Sequence, residues 1–155
     1  MMVKEIQDVE HIRSVLMRPD TVRQLTRYGR SSMKVDEALA CHGNVYIAVK
    51  DGVVDHGLII FSAVHHGFMA IHLVLRGLKL AQYVTAITHA LRVMEARGVT
   101  NFIAAFAAKR RALVWVAQTL GWKLMEAAMA RTIFEPDISV PVAYYYLTLP
   151  SPCHS

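Results

Sequence analysis

Residues 68–81 read FMAIHLVLRGLKLA and set a histidine and two cations around a break from strand to helix. An apolar strand pattern runs directly into Arg76-Gly77. A helical pattern begins at once and continues to about residue 97. This spacing gathers Arg76, Lys79 and several backbone N–H groups around one helix N-terminus. The first N–H groups of a helix have no partner within it, and the macrodipole is positive there, so such an end attracts anions. Two cations at the same end are unfavourable unless a negative group answers them, and a phosphate-bearing ligand would do so. On the strand, Ala70, His72, Val74 and Arg76 share one face. An imidazole titrates near neutrality, which suits His72 to general-base work. A core or interface histidine satisfied by backbone is the plain alternative.

Other reactive residues point less clearly to a site. His56, His65 and His66 lack ligand spacing and cysteine partners, so no metal site is expected. Lys109-Arg110-Arg111 opens a later helix, where each cation is disfavoured by ~0.3–1 kcal/mol. It reads either as a solvated cap or as a cluster that meets an anion. Tyr144, Tyr145 and Tyr146 read as sheet and interface surface rather than a binding cage.

The elements that must position these groups follow from periodicity and turn residues. Residues 3–7 form a short strand. Residues 10–18 form a helix with Ile12, Val15 and Leu16 on one face, stopped by Pro19. Residues 21–28 form a second helix, with Asp20 as N-cap and Gly29 at its end. Residues 44–50 alternate as a strand, Asp51-Gly52 is a hairpin signal, and residues 53–64 form the partner. His65-His66-Gly67 turns the chain into the strand at 68–75. The helix that follows places Leu80, Val84, Ile87, Leu91 and Met94 inward. Residues 101–107 are almost all apolar, as in a strand covered on both faces. A helix over 109–120 and strands over 123–134 and 140–149 complete the order β-α-α-β-β-β-α-β-α-β-β. Such an order predicts an α/β protein with a mixed sheet and helices on both faces.

This order, with two short motifs, resembles the GNAT acyltransferase superfamily over nearly the whole chain. Arg76-Gly77-Leu78-Lys79-Leu80-Ala81 is similar to that family's Gln/Arg-x-x-Gly-x-Gly/Ala segment, with Lys79 where the middle glycine stands. Leu120-Gly121-Trp122 is similar to its Leu-Gly-Phe helix ending. The resemblance implies that the backbone of Leu73, Val74 and Leu75 holds the pantetheine arm of acetyl-CoA or another acyl-CoA. Residues Arg76, Gly77, Leu78, Lys79, Leu80 and Ala81 would hold the pyrophosphate, and Arg110 would meet the 3′-phosphate. His72 would then lie near the thioester as base, with an amine as acceptor. Two departures bear on catalysis. The family's usual tyrosine falls at Ala117, and the usual asparagine falls at Arg110. The chain is also similar to short GNAT-like proteins of tailed bacteriophages, some of them virion-assembly components. That similarity rests on Ala70-Ile71-His72-Leu73 before Arg76-Gly77, the short N-terminal helices and Gly121-Trp122. Two functions therefore stand side by side: an N-acyltransferase, and a non-catalytic binding or assembly protein.

Composition bounds these readings. At 155 residues one domain is expected over 1–150, with a frayed tail at 151–155. Hydrophobic residues make up 54%, which excludes a disordered chain. With the uncharged aromatic strand at 140–149 read as an open sheet edge, it also predicts a homodimer or larger assembly. No apolar run reaches the roughly 18 residues of a membrane span. The charged N-terminus lacks a signal-peptide core, and two cysteines give no disulfide framework. The expected location is therefore the cytoplasm, or a virion under the bacteriophage reading. The net charge of +5 fits either a soluble protein of mildly basic balance or one with an anionic partner, and no aromatic-basic interleaving points to nucleic acid.

Overall fold

The computed structural model describes residues 1–19, 39, 43–63, 67–107, 110–131 and 139–150. The elements in chain order are β1 (Met2–Ile6), α1 (Val9–Leu16), β2 (Val45–Asp51), β3 (Val54–Ala63), β4 (Phe68–Leu75), α2 (Leu80–Glu95), β5 (Asn101–Ala107), α3 (Arg111–Thr119), β6 (Lys123–Arg131) and β7 (Ser139–Thr148). The expected helix at 21–28, residues 30–38 and 40–42, the His65-His66 turn and the tail lie outside the described residues.

All seven described strands join one mixed sheet in the order β1-β2-β3-β4-β5-β7-β6. Only β4 and β5 run parallel; the other neighbours are antiparallel. The alternation over residues 46–49 of β2 and 58–61 of β3 sorts their side chains to two faces. Tyr46, Ala48, Leu58 and Ile60 pack with Val74 against Ile12, Val15 and Leu16 of α1. Ile47, Val49, Ile59 and Phe61 pack on the other face with Ile71, Phe102 and the buried stripe of α2. Phe61 and Phe102 meet edge to face with centroids 5.7 Å apart. Burying side chains of this size stabilises the fold by about 1.5–3 kcal/mol each. Helices thus cover both faces, as the element order predicts.

Local signals explain the ends of the helices. Asp8 caps α1 by accepting a hydrogen bond from the His11 N–H at 3.2 Å. At the end of α3, Gly121 has φ +82, and the Trp122 N–H reaches back to the Ala117 carbonyl at 2.9 Å. This closure turns Trp122 into the core, where it is 6% exposed. The Leu120-Gly121-Trp122 ending is therefore a helix stop with a hydrophobic anchor.

Three expectations are corrected. The hairpin loop between β2 and β3 is Gly52-Val53, because Asp51 pairs with Val54. Leu80 is 43% exposed rather than inward. It is the first residue of α2, at the rim beyond the end of β4, while Ala86, Ile87, Ala90, Leu91 and Met94 form the buried stripe. The final strand is not a sheet edge. β7 lies between β5 and β6, so β1 and β6 are the edges among the described strands. Tyr145 of β7 is buried and stacks on Phe106, with ring centroids 5.2 Å apart.

Candidate functional site

The parallel pair β4 and β5 is short. Phe68, Met69, Ala70 and Ile71 pair with Asn101, Phe102, Ile103 and Ala104, and the pairing stops there. Both strands continue, each held on its far side. β4 stays paired to β3 through Leu75, and β5 stays paired to β7 through Ala107. The sheet therefore forks at Ile71 and Ala104. Along one tine, residues 72–75 run about 13 Å beyond the last β4–β5 pair, and no described strand lies beside residues 73–75. Backbone N–H and C=O groups on an unpaired edge are ready to bind an extended ligand.

His72 is the first residue of β4 beyond the last pair, so it stands at the crotch of the fork. It faces the α1 side of the sheet with Ala70 and Val74, opposite Ile60 on β3. Leu73 and Leu75 pack toward the α2 side.

The turn of residues 76–79 closes the mouth. Arg76, Gly77, Lys79, Leu80 and Ala81 are exposed, while Leu78 packs on the core. Gly77 has φ +72, a left-handed conformation that favours glycine, so the chain reverses here at little steric cost. Lys79 is the N-cap of α2, and its own N–H donates to Oε1 of Gln82 at 2.8 Å. Among the described residues, no acceptor meets the N–H groups of Leu80 and Ala81. These donors and two cationic side chains therefore sit together at the end of the fork, and no acidic residue lies in the first turn of α2.

The opposite side of the mouth carries Arg110, the exposed N-cap of α3. It lies close enough to Tyr83 for its charge to act on the phenol. Burial pushes the Tyr83 pKa up, and the Arg110 charge partly offsets this. The Tyr83 hydroxyl donates a long hydrogen bond, 3.4 Å, to the Leu75 carbonyl. Sequence reasoning missed Tyr83. Its signal was its place in the first turn of the helix that begins at the anion-attracting end.

His56 was also missed as part of this site. It is 6% exposed, and its Nδ1 lies 3.0 Å from the Arg76 carbonyl oxygen. It is thus committed to the turn. His65 and His66 lie outside the described residues. Ala117, where the resembled family carries a tyrosine, is 7% exposed in the core beneath α2.

No family model matches the sequence, and no curated protein matches it. Solved structures do. A proposed acetyltransferase of Acinetobacter baylyi aligns over 99% of this chain and 96% of its own, with TM-score 0.76 and 16% identity. The ribosomal-protein-S5-alanine acetyltransferase of Vibrio fischeri aligns over 97% and 94%, with TM-score 0.73 and 14% identity. An aminoglycoside 6′-acetyltransferase of type Ii aligns over 98% and 100%, with TM-score 0.69 and 16% identity. The chain has the GNAT fold. The agreement covers whole chains at very low identity, so it concerns the path of the backbone. A GNAT-fold sheet that forks between β4 and β5, with a helix N-terminus at its mouth, is what this sequence builds. The likenesses lend no support to the virion-assembly expectation. Among the described residues, no helix is long and apolar enough to cross a membrane.

Proposed function

We propose that this chain is an acyl-CoA-dependent N-acyltransferase acting on an amine. The observation that carries the reading is the fork itself: the stretch of β4 at residues 73–75 runs beyond the last β4–β5 pair and ends in exposed N–H donors and cations. An acyl-CoA has the complementary form, with an extended amide-bearing arm joined to phosphates. The backbone of Leu73, Val74 and Leu75 holds the arm. Residues Arg76, Gly77, Leu78, Lys79, Leu80 and Ala81 hold the pyrophosphate through N–H groups and two cations, and Arg110 meets the 3′-phosphate. The thioester then lies at the crotch, beside His72.

The chemistry at that point is direct transfer. The amine nitrogen attacks the thioester carbonyl carbon, the C–S bond breaks, and sulfur leaves as thiolate with the electron pair. The proton lost by the amine passes to His72. Holding the two reactants in line supplies much of the rate effect, and a positioned base adds about 10²–10⁴-fold. Such a reaction belongs in the cytoplasm. The structural neighbours act on unlike amines by their names, an S5 alanine and an aminoglycoside, so they leave the acceptor open.

A second reading is a binding or assembly protein that keeps the fold without turnover. The buried Ala117 favours it, since no hydroxyl stands there to protonate the leaving thiolate. Calorimetry with acetyl-CoA, followed by thiol release across a panel of amines, separates the two. The enzyme reading expects binding, turnover, and a fall of about 10²-fold in kcat for His72→Asn with acetyl-CoA affinity kept. Binding without turnover on any amine supports the second reading. No binding overturns the donor site.

A further inference from the structure

We infer that His56 is a positioning residue that sets the shape of the anion-holding turn; as a role in acyl-CoA binding, this rests on the reading above. β3 carries one residue more than its partner at this point. Val49 pairs with Gly57 and Lys50 pairs with Asp55, so His56 is the unopposed residue of a β-bulge. A bulge re-aims a side chain that regular alternation would send elsewhere. Here it sends the imidazole under the end of β4. Among the described residues, His56 is the one buried histidine.

Its contacts fall on both sides of one residue. The Arg76 N–H donates to the His56 carbonyl oxygen at 2.9 Å. The His56 Nδ1 lies 3.0 Å from the Arg76 carbonyl oxygen. A carbonyl oxygen only accepts, so Nδ1 carries the proton. Both peptide planes flanking Arg76 are therefore fixed by the same partner. The ring also lies beneath Gly77, where an added Cβ would come within 3.5 Å of Nδ1.

The second contact matters for an anion. The carbonyl between Arg76 and Gly77 is at the mouth of the fork. Turned outward, its oxygen would oppose a phosphate. Held by the imidazole, that oxygen is directed to the β3 side, and the dipoles left at the mouth are the donors at the start of α2. The bulge, the buried imidazole and the left-handed Gly77 thus act together to present N–H groups rather than a carbonyl.

The test compares the whole wild-type chain with His56→Phe, which fills the ring volume without a donor, and His56→Asn, whose amide nitrogen replaces Nδ1. His56→Gln, whose amide reaches the Nε2 position instead, is the control. Backbone hydrogen exchange over residues 76–82 and calorimetry with CoA are the two readouts. In His56→Phe, exchange in the turn quickens by about tenfold and CoA Kd rises by about tenfold, the size of one lost buried hydrogen bond. His56→Asn restores both to within about threefold, and His56→Gln does not. Wild-type exchange and affinity in His56→Phe overturn the inference, as does equal behaviour of the Asn and Gln variants should the Phe variant fail to fold. A wild-type chain that binds no CoA removes the acyl-CoA reading instead, and the exchange comparison still decides whether His56 sets the turn.

Discussion

Gly57 and Val74 approach so closely that a Cβ on Gly57 would stand 1.9 Å from the Val74 carbonyl oxygen. Gly57 also has φ +117, where side chains are strained. The contact joins the bulged strand to the tine of the fork that carries residues 72–75. Gly57→Ala should therefore cost more than ~1 kcal/mol. For a chain of this size that is a fall of at least about 2–4 °C in Tm, measured by thermal denaturation. Val74 must shift to admit the methyl group, so acetyl-CoA affinity should fall as well. An unchanged Tm would show that β3 and β4 are not held this closely.

Arg76 and Lys79 both stand exposed at the mouth. Replacing both with alanine should weaken acetyl-CoA binding by about tenfold to a hundredfold, with the solvent-exposed setting keeping the effect modest. The loss should shrink as ionic strength rises, because exposed charges are screened. Calorimetry at two salt concentrations checks both statements, and equal affinities would remove the phosphate assignment.

Tyr83 gives a pH signature. Its folded pKa is raised above the ordinary value of about 10 by burial. The folded state therefore holds the proton more tightly than the unfolded state does. The resulting stability is fully present below about pH 10 and is lost as pH rises through the folded pKa. Denaturant unfolding of wild type and Tyr83→Phe should give a difference that is flat through neutral pH. That difference should narrow above about pH 10. A constant difference up to pH 11 would contradict a raised pKa.

Ala117→Tyr tests whether a missing phenol alone separates this chain from an active enzyme. The position is 7% exposed and packs in the main core. A tyrosine there would overfill the site and cost about 1–3 kcal/mol. The expected result is a lower Tm with no gain in thiol release. A gain in turnover would show that the phenol reaches the fork despite the burial.

Much of this arrangement is legible in the sequence, and the part that is not has a physical reason. The period of α2, the apolar run of β5 and the break at Arg76-Gly77 are local patterns, and local patterns read well. The fork depends on where β4 stops pairing with β5, and nothing in residues 72–75 marks that. The place of β7 between β5 and β6 is likewise a matter of partners, so an uncharged aromatic strand near the end of the sequence read as an edge. His56 was weighed only for a metal site, which its spacing did not support, because its role depends on a bulge. The signal was there: a glycine directly after it, within a strand pattern, marks a bulge or close approach.

The insertion of β7 also has a consequence for synthesis. The chain emerges from the ribosome N-terminus first, so β5 and β6 are both made before the strand that joins them. Until residues 139–148 appear, one flank of β5 is open, and β6 has no neighbour in the sheet. A nascent chain stalled before that point would present a bare apolar β5 edge to other chains. Chaperone dependence should therefore be highest before residues 139–148 emerge and fall once β7 slots between β5 and β6.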